Sequence, residues 1–354
     1  MMKKISLIVS SVLLTLVLAA GCGSNDTTDS AGDGDSNKES QLEEMNKDDK
    51  EEGSSDDTAD GDTFKVGIIQ LTEHPALDAS YEGFVEGLKE AGYVEGENLS
   101  IDYQNAQGDQ SNCVTIAEKF VNDKVDLILA IATPAAQAAA GKTSDIPILV
   151  TAVTDPESSG LVDSNEVPGG NVSGSSDLTP VKAQIDLLHK LLPDAKNVGI
   201  LYCSSEDNSE FQADIAIEHL ESLGMTGEKY TISTLDEIQA VVESMKGKVD
   251  AIYSPTDNKI AEGMPTVSMV ATDAQIPCIV GESGMVNGGG LATYGLSYFN
   301  LGKITGEQAA SILSGEAQTA TMPIAYLAEE DCEFTYNQEI ADALGITIDA
   351  SQFE

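Results

Sequence analysis

A cluster of ionisable side chains follows the first apolar segment of the folded part, KVGIIQ. Glu73 and His74 stand together there, and Asp78 comes four residues later. Carboxylates beside an imidazole are the residue types that serve acid–base catalysis or metal binding. However, Asp78 follows Pro75, which is favoured at helix starts, so Asp78 is also placed to interact with the positive end of a helix. We expect Glu73, His74 and Asp78 to contact a ligand or to steady a strand–helix connection, not to catalyse.

Motifs for metal or cofactor chemistry are absent from the sequence. The other two histidines, His189 and His219, lie inside patterns typical of amphipathic helices. There is no His-Glu-x-x-His, no Cys-x-x-Cys and no phosphate-binding Gly-x-x-x-x-Gly-Lys, and the Gly-rich segments PGGNVSG and NGGG are typical of turns. We therefore predict no metal, no cofactor and no catalytic residue.

The N-terminus has the pattern of a signal peptide over residues 1–22. A basic start, MMKK, precedes an apolar run that is short for a spanning helix. The segment LAAGC resembles a bacterial lipoprotein box, which implies cleavage before Cys22 and lipidation of its thiol. An ordinary secreted protein or a retained anchor are the alternatives. All three place the mature protein outside the cytoplasm.

Residues 23–63 have the composition of a disordered tether. They contain fifteen acidic residues against three lysines, few apolar residues and no aromatic residue. Such a segment cannot bury enough surface to offset its chain entropy. The whole chain carries a net charge of −42, which argues against nucleic acid or an anionic lipid surface as a partner.

Two absences and the cysteines limit the chemistry further. The chain has no arginine and no tryptophan, so a bound carboxylate cannot be held by a guanidinium fork. The scattered Cys113, Cys203, Cys278 and Cys332 suggest no disulfide framework, and buried free thiols are expected.

An internal repeat predicts the fold. KVGII at 65–69 is matched by NVGIL at 197–201, VDLILAIATP at 125–134 by VDAIYSPTDN at 249–258, and IPILVTAVTDP at 146–156 by IPCIVGESG at 276–284. Each copy reads strand, helix, strand, helix, strand, with continuous apolar runs typical of strands covered on both faces. This alternation predicts two similar α/β lobes, each with a parallel sheet.

The repeat also predicts where a ligand binds, because open parallel sheets bind ligands outside the carboxyl ends of their strands. These ends are rich in hydroxyl, amide and acidic side chains. They are Thr72–Asp78, Ala132–Pro134 and Thr151–Asp155 in the first lobe, and Cys203–Asn208, Ser254–Asn258 and Gly281–Ser283 in the second.

The combined motifs resemble a known family. The segments EHPALDA, NAQGDQSN, ILAIATPAAQAA, TAVTDP, GGNVSG, YSPTDN and ESGMVNGGGLATYG are similar to those of solute-binding lipoproteins of ABC importers, most closely the branch for tryptophan and other aromatic amino acids. The resemblance covers residues 64–325. It implies a type I periplasmic-binding-protein fold with two Rossmann-like lobes, joined by three crossing strands, that close around a ligand like a Venus flytrap.

Roles for individual residues follow from this arrangement. Thr133 and Pro134 stand at a predicted helix start, as do Ser204 and Ser205, and free N–H groups there would bind a carboxylate. Asp257 is the first choice for a ligand ammonium, although it could instead cap the next helix. Tyr294 is the best partner for an aromatic ring. The remaining candidates at the strand ends are Thr154, Asp155, Asn208, Thr256, Asn258, Glu282 and Ser283.

The sequence thus predicts a monomeric, lipid-anchored receptor that delivers an amino acid, favoured to be aromatic, to an ABC permease and its ATPase. Lobe 1 is expected at 64–177 plus about 292–322, and lobe 2 at 178–291 plus about 323–354. The alternatives are a sensor domain of the same fold, a binder of a nucleobase, nucleoside or sugar, and a secreted hydrolase. The last is disfavoured by the absent catalytic motifs.

Overall fold

The computed structural model describes residues 63–328 and 331–353. The predicted signal peptide, the predicted lipidation site Cys22 and nearly all of the acidic segment 23–63 lie outside this part of the chain. Within it, no helix is both long and apolar enough to cross a membrane.

The first sheet has five parallel strands. They are β1 (Phe64–Gln70), β2 (Leu99–Asn105), β3 (Leu127–Ile131), β4 (Ile148–Val153) and β5 (Val172–Ser176). The connecting helices are α1 (Pro75–Glu90), α2 (Gln110–Asp123) and α3 (Thr133–Ala140). The strand order is β2-β1-β3-β4-β5. β3 and β4 are buried along their whole length, as expected of apolar strands with helices on both faces.

The second sheet has six strands. They are β6 (Asn197–Cys203), β7 (Thr226–Ile232), β8 (Ala251–Ser254), β9 (Cys278–Val280), β10 (Ala292–Gly295) and β11 (Glu333–Tyr336). The helices of this half are α4 (Val181–Leu191), α5 (Asp207–Ser222), α6 (Ile238–Met245), α7 (Asn258–Glu262), α8 (Met264–Asp273), α9 (Ser283–Asn287), α10 (Tyr298–Leu313) and α11 (Gln338–Leu344). The strand order is β11-β10-β9-β8-β6-β7.

The two sheets share one strand order, since β2-β1-β3-β4-β5 corresponds to β7-β6-β8-β9-β10. The predicted fold class is thereby confirmed. The prediction of three strands per copy was incomplete. It missed β5 and β10, and the PGGNVSG segment expected to form a turn runs into β5. It also missed β2 and β7. Both are edge strands with the mixed sequences LSIDYQN and TGEKYTI, which lack the continuous apolar run that marks a central strand. β11 is an addition that pairs antiparallel with β10.

Helix α10 packs on the first sheet although it follows the last parallel strand of the second. Its contact with α1 is very close: a Cβ at Gly302 would collide with the Ser80 carbonyl, and one at Gly83 with the Phe299 carbonyl. Glycine is therefore required for the two backbones to approach. This packing fixes Tyr298, the first residue of α10, to the first half of the molecule.

The chain passes between the sheets three times. It does so after β5, between β10 and α10, and between Ala325, which pairs with Ser175 of β5, and β11. By sheet membership we assign 64–177 plus 297–325 to lobe 1 and 178–296 plus 333–353 to lobe 2. The predicted boundaries at about 292 and about 323 lie slightly earlier. The difference arises because the short ATYG segment of β10 is identified as a strand of lobe 2 only by its pairing with β9 and β11.

The thiols of Cys113, Cys203 and Cys278 are free and buried, as the sequence predicts. They pack as small apolar side chains in the lobe cores.

Candidate ligand-binding site

A cavity with about 300 Å³ of empty space lies between the carboxyl ends of the two sheets, the position predicted for a ligand. We call it the central cavity. It is lined by His74, Leu77, Ala152, Thr154, Asp177, Asn208, Thr256, Asp257, Asn258, Ala261, Glu282, Met285 and Tyr298. Seven of the predicted site residues are in this set: His74, Thr154, Asn208, Thr256, Asp257, Asn258 and Glu282.

Asp257 is engaged in capping. Its Oδ1 accepts a hydrogen bond from the Ile260 N–H at 2.7 Å, and its Oδ2 accepts one from the Cys203 N–H at 2.6 Å. The side chain is buried. Because both oxygens are already paired with backbone donors, the geometry favours the capping role that the sequence left open over a direct role in holding an ammonium.

Glu206, which the sequence did not single out, lies next to Asp257 in lobe 2. Its Oε2 accepts from the Asn258 N–H at 3.1 Å and from Asn258 Nδ2 at 2.7 Å, and its Oε1 accepts from the Lys259 N–H at 3.1 Å. Burial, together with the neighbouring Asp257 carboxylate, raises the pKa of Glu206 to about 8. Burial also raises the pKa of Asp257. Two buried acids thus join the starts of α5 and α7.

His74 bridges the cleft. It precedes α1 without capping it through its side chain, and its Nε2 lies 3.5 Å from Asn258 Oδ1 of lobe 2. An amide oxygen only accepts, so Nε2 is assigned the proton and Nδ1 the lone pair. Burial lowers the pKa of His74, against the opposing effects of Asn258 and Asp78. The imidazole is therefore held in its neutral form.

The two acids beside His74 do not enter the central cavity. Glu73 is exposed. Asp78 lies in the first turn of α1, where its Oδ1 accepts from Gln70 Nε2 at 2.6 Å. Of the three ionisable residues in this segment, only His74 contributes to the cavity.

Two further hydrogen bonds span the cleft. Gln212 of α5 donates through Nε2 to Thr154 Oγ1 of lobe 1 at 3.3 Å. The same Nε2 also donates to Thr256 Oγ1 of lobe 2 at 2.7 Å, which orients the Gln212 side chain. Gln137 of α3 donates through Nε2 to Asp207 Oδ2 of lobe 2 at 2.9 Å. Together with the His74–Asn258 contact, these bonds hold the lobes against each other.

Asp177 is the acid in the cavity that keeps an unused oxygen. It follows β5 at the first crossing, and its Oδ2 accepts from the Tyr298 hydroxyl at 2.8 Å. Oδ1 is buried without a hydrogen-bond partner. Burial raises the pKa of Asp177, against the opposing effects of the Tyr298 and Thr154 hydroxyls and the Asp177 backbone N–H. A buried carboxylate oxygen without a donor is costly, so this atom is suited to meet a cationic ligand.

Glu282 caps α9 from the other side of the cavity. Its Oε1 accepts from the Met285 N–H at 2.7 Å, and its Oε2 accepts from the Gly284 N–H. Burial raises the pKa of Glu282 to about 7, and the Asp177 carboxyl acts in the same direction. Glu282 is therefore only partly ionised near pH 7, and both of its oxygens are occupied by backbone donors.

Other predicted residues line neighbouring spaces. Pro134 and Ser205 line an outer crevice, and Ser283 lines a cavity on the hinge side. Thr133 was expected at a helix start and is the first residue of α3, although it does not cap that helix. Ser204 was expected at a helix start too, but α5 begins only at Asp207. The residue before α3 is Ala132, and the residue before α5 is Glu206.

Asp155 and Tyr294 lie outside the central cavity. Asp155 organises its own loop by accepting from the Ser158 N–H at 2.7 Å. Tyr294 packs against Phe334 in the lobe 2 core, and its hydroxyl donates to the Phe353 carbonyl at 3.3 Å. The aromatic residue of the cavity is instead Tyr298, four positions further along LATYGLSYF.

The sequence missed six cavity residues: Leu77, Ala152, Asp177, Ala261, Met285 and Tyr298. Four are apolar and read as ordinary core residues. Asp177 and Tyr298 lie where the chain crosses between lobes, and an acid directly after the GGNVSGSS strand was an available but weak signal. No cluster of three or more potential metal ligands occurs among residues 63–328 and 331–353.

Comparison with known proteins points to one family. The profile of the family described as "ABC transporter substrate binding protein" matches residues 65–352. The chain is 40% identical over 342 residues to a "Tyrosine-binding protein" of Clostridioides difficile, covering 97% of this chain and 92% of that one.

Two solved structures are informative together. An ABC domain from Streptococcus pneumonia in complex with L-Trp is 39% identical, with a TM-score of 0.79. The ligand-free, open structure of a substrate binding protein with adhesive properties from Clostridium difficile is 46% identical, with a TM-score of 0.64. Each match covers 82% of this chain and 97% of the other. The chain therefore superposes better on the ligand-bound protein than on the open one, although its identity to the open one is higher.

Proposed function

The chain belongs to the family of ABC transporter substrate-binding proteins, and from this premise we propose that its central cavity captures an aromatic L-amino acid for import. Members of the family are extracytoplasmic components of ABC transporters that bind small molecules. The observation that carries the amino-acid assignment is Asp177. Its buried Oδ1 has no partner in a cavity that also contains an aromatic ring.

Each part of such a ligand has a partner of suitable chemistry. Asp177 Oδ1 accepts from the α-ammonium, a charge-assisted hydrogen bond that counts among the strong ones. The carboxylate lies at the start of α1, a 16-residue helix with no side-chain cap. Because Pro75 at its first position has no N–H, the N–H groups of Ala76 and Leu77 are the ones that favour an anion there. Leu77, Met285 and the Tyr298 ring form an apolar slot for the aromatic side chain.

Two relatives support the ligand class. One is called a tyrosine-binding protein, and another was solved with L-Trp. The role is capture rather than catalysis: the ligand bridges the lobes and stabilises the closed arrangement through contacts that an open one lacks. A lipid on Cys22 anchors the protein, and an ABC permease with its ATPase accepts the ligand from the closed lobes.

The experiment is a titration of the purified protein with the common amino acids, nucleosides and sugars, read by calorimetry and by the shift in melting temperature. Tyrosine, tryptophan or phenylalanine should bind in the micromolar range or tighter, and sugars should not. If a nucleoside or sugar raised the melting temperature while no aromatic amino acid did, the proposed ligand class would be wrong. Turnover of a bound ligand would contradict the capture role.

A further inference from the structure

The unpaired polar side-chain atoms of the central cavity are all of one hydrogen-bonding type. Three of its residues keep a buried side-chain atom that has no hydrogen-bond partner: His74 Nδ1, Asp177 Oδ1 and Asn208 Oδ1. Every other buried side-chain atom without a partner in the described ranges belongs to a residue that does not line this cavity. These three atoms are therefore the unmet polar groups that a ligand would find.

All three atoms are acceptors. His74 donates its ring proton through Nε2 to Asn258, which leaves Nδ1 with a lone pair. Asp177 presents a carboxylate oxygen. Asn208 donates through Nδ2 to the Thr256 carbonyl at 3.2 Å, and its amide oxygen has no partner. An ammonium group carries three N–H donors and no acceptor, so it complements this set in kind and in number.

The ionisable acids of the cavity also favour a cationic ligand over an anionic one. Its lining includes Asp177, Asp257 and Glu282 and no lysine, and the chain has no arginine. A ligand carboxylate meets only neutral donors, at the start of α1. An ammonium donates to the unpaired acceptors and at the same time offsets the acidic lining, which a neutral donor does not.

We propose that the amine is the charged group that this cavity selects, and that it therefore also binds arylethylamines, the decarboxylated counterparts of aromatic amino acids. The proposal rests on the proposed function for the aromatic part of the ligand. Arylpropionic acids, which keep the ring and the carboxylate but lack the amine, are excluded because they leave the three acceptors unmet and add a negative charge.

The test compares three ligands that share one ring. Tyrosine, tyramine and 3-(4-hydroxyphenyl)propionate are titrated into the purified protein by calorimetry, and the series is repeated with tryptophan, tryptamine and 3-indolepropionate. In the better-binding series the amine should bind within about tenfold of the amino acid. The arylpropionate should bind at least about 100-fold more weakly, the size expected for loss of a charge-assisted hydrogen bond.

A variant pair tests the assignment to Asp177. Asp177→Asn keeps the shape but removes the charge, and it should weaken the amino acid and the amine by about 100-fold each. Asp145→Asn is the matched control, since Asp145 is an exposed acid of the same lobe, and it should change neither affinity by more than about twofold. Melting curves verify that both variants fold. The ligand series on the unchanged protein decides the question even if Asp177→Asn does not fold.

The outcomes separate this inference from the function itself. Binding of amino acids and amines but not arylpropionates supports both. Binding of amino acids with an arylpropionate equal to or tighter than the amine overturns the inference and leaves the function standing. Absence of binding by any aromatic amino acid overturns the proposed function, while amine binding without amino-acid binding would redefine the substrate class.

Discussion

The Tyr298 hydroxyl donates a hydrogen bond of 2.8 Å to Asp177 Oδ2, and this bond joins two of the three crossings between the lobes. Asp177 directly follows β5, and Tyr298 is the first residue of α10 after the return crossing. Both side chains are buried. Asp177 and Tyr298 therefore belong both to the crossings between the lobes and to the lining of the central cavity.

Replacing Tyr298 by phenylalanine should destabilise the protein and weaken ligand binding. Without the hydroxyl, Asp177 Oδ2 loses its 2.8 Å hydrogen bond, and we expect the free energy of unfolding to fall by about 1–3 kcal/mol. Urea denaturation measures this change. Tyr294→Phe is the matched control, because its hydroxyl makes only a 3.3 Å bond outside the cavity. Equal ligand affinity in the two variants would remove Tyr298 from the site.

His74 and Glu73 form a natural test pair, because neighbouring residues here have different surroundings. His74→Ala removes a cavity residue and the 3.5 Å contact with Asn258 across the cleft, so ligand affinity should fall by about tenfold or more. Glu73→Ala alters an exposed side chain and should leave the affinity unchanged. Calorimetry on both variants decides. A stronger effect at Glu73 than at His74 would contradict the site described here.

The stability of the unliganded protein should fall as the pH rises from about 5 to about 8. Burial raises the pKa of Glu206 from 4.5 to about 8, so in this interval the folded state holds a proton that the unfolded chain has released. The state that binds more protons is disfavoured by rising pH, and here it is the folded one. Asp257, whose pKa is also raised by burial, adds to the trend.

Glu206→Gln should make this pH dependence less steep, as measured by urea denaturation at several pH values. The slope is the relevant quantity, because the substitution also changes the hydrogen bonds to Asn258 and Lys259. The control is Glu218→Gln, at an exposed position of α5, the helix that Glu206 precedes, and it should keep the parent slope. An unchanged slope in Glu206→Gln would show that another group carries the dependence.

Gly302→Ala should be strongly destabilising despite its small size. The added Cβ would collide with the Ser80 carbonyl, which belongs to the backbone and cannot rotate away. We expect a loss of about 1–3 kcal/mol or more in the free energy of unfolding. Gly170→Ala is the control, since a Cβ there meets nothing within 4 Å. A tolerated Gly302→Ala would mean that α10 can separate from α1 at little cost.

The fold was predictable because its central strands are short apolar runs that occur twice in the same order. β2 and β7 were missed because half of each edge strand is polar, and only pairing with β1 and β6 identifies them. The crossing at β10 was misplaced for a related reason. The four-residue segment ATYG is too short for its hydrophobic pattern to assign it to one lobe.

The position of the site was predictable from strand ends, but the roles of its residues were less so. Asp257 was the first choice for the ammonium, yet its oxygens are occupied by two backbone donors, which composition cannot reveal. The sequence placed the aromatic partner in the correct segment, LATYGLSYF, but favoured Tyr294 where the cavity contains Tyr298. Tyr294 sits in a strand that faces the lobe 2 core, while Tyr298 begins a helix at the hinge, and tertiary packing alone separates them.

The bonds across the cleft join an imidazole to an amide, an amide to a hydroxyl, and an amide to a carboxylate. In the described part of the chain, each ion pair lies within a single lobe. Added salt therefore has no ion pair between the lobes to weaken. It screens only the repulsion between two strongly acidic lobes. Ionic strength should accordingly favour closure in this protein, the opposite of what an interface built on ion pairs would show.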